Sequence, residues 1–276
     1  MFPSFILALR EGIEAALIIG IVFGTLRKTN LRELDSQVWS GTITGVIASF
    51  LAAWLLNILG ASFEGAAEEI FEGLAMIFAA GVLTWMIFWM NRQARSIRTH
   101  LEENVQQAAI NQGKMPIFAL TFIAVFREGI ELSLFLTAVS FSSGEQGILV
   151  GAMLGISTAV LITWLLNKSL IKLDMKRFFF TSSALLLIFA AGLLAYGIHE
   201  LNEVGWIPPI IEHVWDINYI LDENSNLGEM LKALIGYNGN PSLTEVISYF
   251  VYSGIIAFSL LRKRVKEPLA DIPAQD

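Results

Sequence analysis

The string Arg-Glu-Gly-Ile-Glu occurs twice in the chain, at Arg10–Glu14 and at Arg127–Glu131, each time in the middle of a long apolar run. Three charges in five residues are costly in such a setting. A charge near the centre of a bilayer costs roughly 3 kcal/mol on insertion scales, so residues of this kind face a polar interior and mark a site. Helical residues three and four apart share a side, which groups Arg10, Glu11 and Glu14 and, in the second copy, Arg127, Glu128 and Glu131. If the two helices face each other, four carboxylates and two guanidinium groups converge, with a formal charge of −2 when all are ionised. That excess in a low dielectric attracts a cation. Arg10 and Arg127 suit a supporting role, because a guanidinium stays charged and can hold a carboxylate through two bonds, leaving its outer lone pairs for a ligand. The plainer alternative is that Arg10 and Glu14, like Arg127 and Glu131, only neutralise each other, which leaves Glu11 and Glu128 without partners. Gly12 and Gly129 place no side chain inside the motif and allow a second helix to approach closely.

Glu11, Glu14, Glu128 and Glu131 are therefore the candidate metal ligands. Oxygen donors select hard cations, among them ferric iron, Mn2+, Mg2+ and Ca2+, and accept ferrous iron; spacing does not separate these. The chain has no cysteine, which removes disulfides, thiolate chemistry and soft sulfur sites together.

The elements that must carry these residues follow from composition. Of 276 residues, 55% are hydrophobic and 16% charged, with a mean hydropathy of +0.62. Several apolar stretches exceed the roughly 18 residues of a membrane span, so the pattern predicts an all-α integral membrane bundle. Seven spans are expected, at Pro3–Thr25, Val38–Leu59, Ile70–Met90, Pro116–Phe141, Gly147–Asn167, Phe178–His199 and Leu243–Leu261. The first lacks a basic leader and reads as a span, not a cleaved signal peptide. Lys and Arg follow spans 1, 3, 5 and 7: Arg27, Lys28 and Arg32; Arg92, Arg95, Arg98 and Lys114; Lys168, Lys172, Lys176 and Arg177; Arg262, Lys263, Arg264 and Lys266. Apart from the two motif arginines, only Lys232 falls on the other side, which carries the acidic residues. By the positive-inside rule the N-terminus is outside and the C-terminus inside.

Two further strings repeat in order with the motif. Trp54–Asn57 (Trp-Leu-Leu-Asn) returns as Trp164–Asn167, and Ile77–Gly81 (Ile-Phe-Ala-Ala-Gly) as Ile188–Gly192. Spans 1 to 3 therefore resemble spans 4 to 6, and an odd number of spans per unit inverts one half relative to the other, an arrangement that places substrate near the midplane between the halves. The expected organisation is a first three-helix repeat at 1–90, an inner loop at 91–115, an inverted repeat at 116–199, an external acidic segment at 200–242, and a seventh helix with an inner tail at 243–276. Within the external segment, Ile210–Leu221 reads as an amphipathic stretch and Asn238-Gly239 as a turn, and Ser242 with Glu245 reads as a capping box opening the seventh helix.

The doubled motif in spans 1 and 4 of a seven-span, N-outside chain resembles the oxidase-dependent iron transporter family, and its bacterial EfeU-type permeases more than the fungal oxidase-coupled ones. The likeness extends to Phe71-Glu72-Gly73, Thr84–Met90, Gly151–Gly155 and His199-Glu200. It is this resemblance that selects iron. It implies an iron permease of the bacterial cytoplasmic membrane with iron as transported substrate and no permanent cofactor. It also implies that Glu11, Glu14, Glu128 and Glu131 act as ligands or relay groups, and that external iron-binding and peroxidase-like proteins are partners.

Acidic residues on the outer side suggest an approach path. Glu68, Glu69 and Glu72 lie on the way into span 3, where an acidic stripe concentrates cations, and Glu72 lies inside the apolar run. A solvated helix face is the plainer reading of Glu64 and Glu68. His199 and Glu200, at the outer end of span 6, could pass a metal inward or carry protons; a polar helix end in water is the plainer reading. The tryptophans, including Trp85, Trp89, Trp206 and Trp215, fit interfacial belts. A divalent-cation carrier for Mn2+ would share this architecture. A di-iron oxidoreductase fits worse, because such bundles use Glu-x-x-His and no histidine follows any of the four glutamates at that spacing. Nothing in the chain suggests nucleic acid.

Overall fold

The computed structural model describes residues 1–93, 105, 114–143, 147–168, 175–223 and 225–265, and among them every regular element is helical. The helices are α1 (Phe2–Lys28), α2 (Asp35–Ala61), α3 (Ala66–Gln93), α4 (Lys114–Ser143), α5 (Ile148–Lys168), α6 (Met175–Glu203), α7 (Asn226–Ile235) and α8 (Leu243–Val265). A helix at each of the seven expected spans is thus present. Four stretches are long and apolar enough to cross a membrane, in α2, α3, α5 and α6. α1 and α4 are of similar length, at 27 and 30 residues; what sets them apart is their charge, with at least three charged residues in any 18-residue stretch of either.

Packing follows a pattern of exchange. α1 lies along α5, α2 lies along α4, α3 packs on α6, and α1 crosses α4. Exchanging α1 with α4, α2 with α5 and α3 with α6 maps this set of pairs onto itself. The individual contacts obey the same exchange. Gly41 and Gly45 of α2 pack on Phe118, Thr121 and Val125 of α4, and Gly151 and Gly155 of α5 pack on Met1, Ser4 and Ala8 of α1. A methyl group on Gly45 would sit 3.0 Å from the Val125 Cβ, and one on Gly155 2.8 Å from the Ala8 Cβ. Small residues four apart let backbones approach closely where burial from water cannot drive association.

Two apolar clusters hold the bundle. One joins Met76, Leu83 and Met86 of α3 with Phe135 of α4 and Leu186, Phe189 and Leu193 of α6, and reaches Ile256 of α8. The other closes the end where α1 finishes, from Val22 and Leu26 with Leu34, Val38 and Ile117. α8 is tied in by Tyr252, whose hydroxyl lies 2.5 Å from that of Thr84. Its start is a capping box as expected: Glu245 N donates to Ser242 Oγ, and Ser242 N donates to Glu245 Oε1.

In the segment expected to be external, the amphipathic stretch Ile210–Leu221 forms turns and bends. The cause is pairing with the chain on its return, since Val214 N donates to Pro241 O, Ile217 N to Gly239 O and Leu243 N to Ile211 O. The helix of this segment is α7, capped by Ser225 and ended by Gly236 at φ +71, where Gly192 of α6 packs directly against it. Between Gln93 and Lys114 the expected inner loop lies outside the described residues, save Val105, as does the tail after Val265.

Candidate metal centre

Each motif presents its charges inward because its glycine is a notch. A Cβ on Gly12 would lie 2.8 Å from Ala159 Cβ on α5, and one on Gly129 would overlap Ser49 on α2. Positions 49 and 159 correspond to each other by the same offset of 110 that relates Trp54 to Trp164. With the glycine face pressed against a neighbouring helix, the glutamates turn towards the crossing of α1 and α4.

At that crossing the carboxylates of Glu11, Glu128 and Glu131 are buried and offer one oxygen each within 4.8 Å of one another. The Oε2 atoms of all three have no hydrogen-bond partner. Buried polar atoms are nearly always satisfied, and like charges about 4 Å apart repel by roughly 4 kcal/mol even at an effective dielectric of about 20. Each of the three carboxylates in the cluster thus keeps one acceptor that no donor occupies, as a ligand set requires. Glu14 is placed differently: its Oε1 lies 2.9 Å from Arg10 Nη2, and it stands outside the triplet.

The two arginines differ as well. Arg10 is fully buried and holds both glutamates of its own motif, with Nη1 2.5 Å from Glu11 Oε1. Its Nη1 also contacts the Met86 sulfur at 3.4 Å. Arg127 is 34% exposed; its Nε donates to Glu131 Oε1 at 2.8 Å, and its guanidinium lies 4.5 Å over the Trp89 ring. Both intrahelical pairs foreseen from the spacing therefore form. They do not exhaust the glutamates.

A cavity of about 930 Å3 leads to this centre between α1, α2, α4 and α5. Glu11 and Glu128 lie at its inner end, and Glu68 and Glu72 line it where α3 begins. Glu69, His199 and Glu200 do not line it, although Glu69 and Glu200 lie within electrostatic reach of Glu72. His199 is turned to α8, with Nδ1 3.0 Å from Glu245 Oε1 and Nε2 3.4 Å from Glu203 Oε1. Of the five residues expected on an approach path, Glu68 and Glu72 lie on the cavity wall. Glu245, read from the sequence only as a cap, is 4% exposed and also accepts from Asn238 Nδ2 at 2.8 Å. The capping spacing was its only signal.

The FTR1 iron permease family matches residues 1–265. The chain belongs to that family. It is similar to the EfeU of Escherichia coli (strain K12), named as an inactive ferrous iron permease, with 34% identity over 265 residues, 94% of this chain and 96% of that protein. Ferrous iron permeases named EfeU from Shigella sonnei (strain Ss046) and Yersinia pestis are 33% and 32% identical over 265 and 255 residues, covering 94% and 91% of this chain and 96% and 90% of theirs. No solved structure matches. As an FTR1 iron permease the chain is a membrane protein with iron as its transported substrate.

Proposed function

We propose that this permease moves ferrous iron inward across a bacterial cytoplasmic membrane, through a midplane site formed by Glu11, Glu128 and Glu131. One observation carries the reading: three buried carboxylates, each with an unpartnered oxygen, converge at the crossing of the two motif helices, with two of them at the end of a cavity. Counting Glu14, Arg10 and Arg127, the ionised centre has a formal charge of −2, which one divalent cation cancels. Oxygen donors alone do not distinguish Fe2+ from Mn2+; the choice of ferrous iron rests on the names of the relatives. The absence of histidine from the triplet favours transport over di-iron oxidation.

The exchange symmetry of the helix packing supports two inverted three-helix repeats, with α8 as the seventh span, and the distribution of Lys and Arg supports an external N-terminus. On this reading the cavity opens outward at Glu68 and Glu72, and the apolar cluster around Leu26 and Ile117 closes the inner side. External iron-binding and peroxidase-like proteins would deliver the ion at that mouth. The test is iron uptake into proteoliposomes. Glu128→Gln removes one ligand and leaves two, and uptake should fall about 30-fold or more, as expected when a buried charged partner worth ~2 kcal/mol is lost. Wild-type uptake by a correctly inserted Glu11→Gln, Glu128→Gln double variant sinks the reading.

A further inference from the structure

The cavity between mouth and centre has one polar wall. Ser133, Thr137 and Ser140 of α4 line it above Glu128, at steps of five, four and three residues, so their helical rise carries them roughly 18 Å from Glu128 to Ser140. The facing wall is mostly apolar, with Phe50 and Ala53 on α2 and Met153 and Ile156 on α5, and no Lys or Arg is among the described residues that line the cavity. Ser133 Oγ donates to Gly129 O at 2.7 Å and Thr137 Oγ1 donates to Ser133 O at 2.9 Å. On the opposite helix Ser49 Oγ donates to Gly45 O at 2.8 Å. With their hydroxyl protons spent on the backbone, Ser49, Ser133 and Thr137 present lone pairs to the cavity, and the Ser140 hydroxyl adds an oxygen beside them. Apart from the Asn57 amide the lining offers no side-chain N–H donor to an anion, and its oxygens favour a hard cation. Glu128 and Glu11, 4% and 1% exposed and each with an unpartnered Oε2, line the same cavity.

We propose that Ser133, Thr137 and Ser140 form the rail along which the hydrated ion descends from Glu68 and Glu72 to the glutamate triplet. This rests on the triplet being the cargo site. Steps of roughly 4.5 to 7.5 Å along the helix are lengths that a single bridging water covers, so the ion exchanges part of its hydration shell for hydroxyl oxygens one position at a time. The three residues act by solvating the ion in transit. They are not its final ligands.

The natural chain has no cysteine, so each single-cysteine variant carries one thiol. The test uses the full chain in proteoliposomes and a membrane-impermeant, cationic methanethiosulfonate reagent applied from each side in turn. Thr137→Cys and Ser140→Cys should react from the mouth side only, more slowly when ferrous iron is present, and lose uptake once labelled. Ala138→Cys and Val139→Cys, at positions 1% exposed on the packed face of the same helix, should not react. Thr137→Val, which keeps the shape and removes the oxygen, should lower uptake about fivefold to tenfold with iron binding in detergent unchanged. If Thr137→Cys and Ser140→Cys resist the reagent while Glu68→Cys reacts, or Thr137→Val transports as wild type, the rail is overturned. If that happens while Glu128→Gln is dead for transport, the rail alone falls. Full transport by Glu128→Gln removes the cargo site and the rail with it.

Discussion

Replacing Arg10 and Arg127 by methionine, one at a time, should have unequal effects although the two residues occupy the same position in identical five-residue motifs. Arg10 is fully buried and is the counter-charge for both Glu11, at 2.5 Å, and Glu14, at 2.9 Å. Arg10→Met leaves both carboxylates facing each other and the other motif without compensation, and removing one partner of a buried ion pair costs about 3–5 kcal/mol. Arg127 pairs with Glu131 alone, is 34% exposed, and stacks on Trp89. Solvent screening reduces a half-exposed pair to about 1 kcal/mol or less, and the cation–π contact adds about 0.5–1 kcal/mol, so Arg127→Met should cost about 1–2 kcal/mol. In thermal unfolding of the purified protein in detergent, at roughly 2–4 °C per kcal/mol, Arg10→Met should lower Tm on the order of 10 °C and Arg127→Met by a few degrees. Adding Glu14→Gln to Arg10→Met should recover part of the loss by removing one orphaned charge. Equal shifts for the two single variants, or no recovery in the double variant, would refute the assignment of unequal burial and of Arg10 as a shared counter-charge.

Three other outcomes follow from the packing. Gly129→Ala drives a methyl group into Ser49 and should destabilise the protein by about 1–3 kcal/mol, with Ser49→Gly in the same chain restoring Tm. Glu245→Gln weakens contacts with His199, Asn238 and the Ser242 amide; loss of charge-assisted bonds of this kind should cost about 1.5–3 kcal/mol, read as a lower Tm with little change in the iron concentration giving half-maximal uptake. Glu72→Gln, on the cavity wall, should raise that concentration severalfold by weakening local cation attraction, whereas His199→Gln, off the wall, should leave it unchanged.

Hydropathy made the all-helical, membrane-spanning character of the chain legible, because a bilayer-length apolar run has few other solutions. The contacts of Gly41, Gly45, Gly151 and Gly155 follow the same correspondence as the doubled motif and its two companion repeats. The division of labour within the motif was not legible. Glu11 and Glu14 stand about 60° apart around a helix, so which one faces across the crossing depends on how each helix is rotated by its neighbours. That rotation is set by Ala159 against Gly12 and Ser49 against Gly129, contacts that no local pattern encodes. The same reason hid the unequal burial of Arg10 and Arg127. The hydroxyl stripe carried a weak signal in the spacing of Ser133, Thr137 and Ser140, but serine and threonine in apolar helices commonly bond only their own backbone. α7 was not read from the sequence because Asn226–Ile235 is short, and the conformation of Ile210–Leu221 depends on its pairing with Gly239–Leu243, which no local pattern encodes.

The central claim is that the cargo ion is held by Glu11, Glu128 and Glu131, with Glu14 retained by Arg10. Anomalous scattering at the iron edge, from crystals of the protein soaked anaerobically with ferrous iron, tests it most directly. The account predicts one principal peak among the carboxylates of Glu11, Glu128 and Glu131, lost in Glu128→Gln and retained in Glu14→Gln. A principal peak away from these three carboxylates, or one that survives Glu128→Gln unchanged, would contradict it.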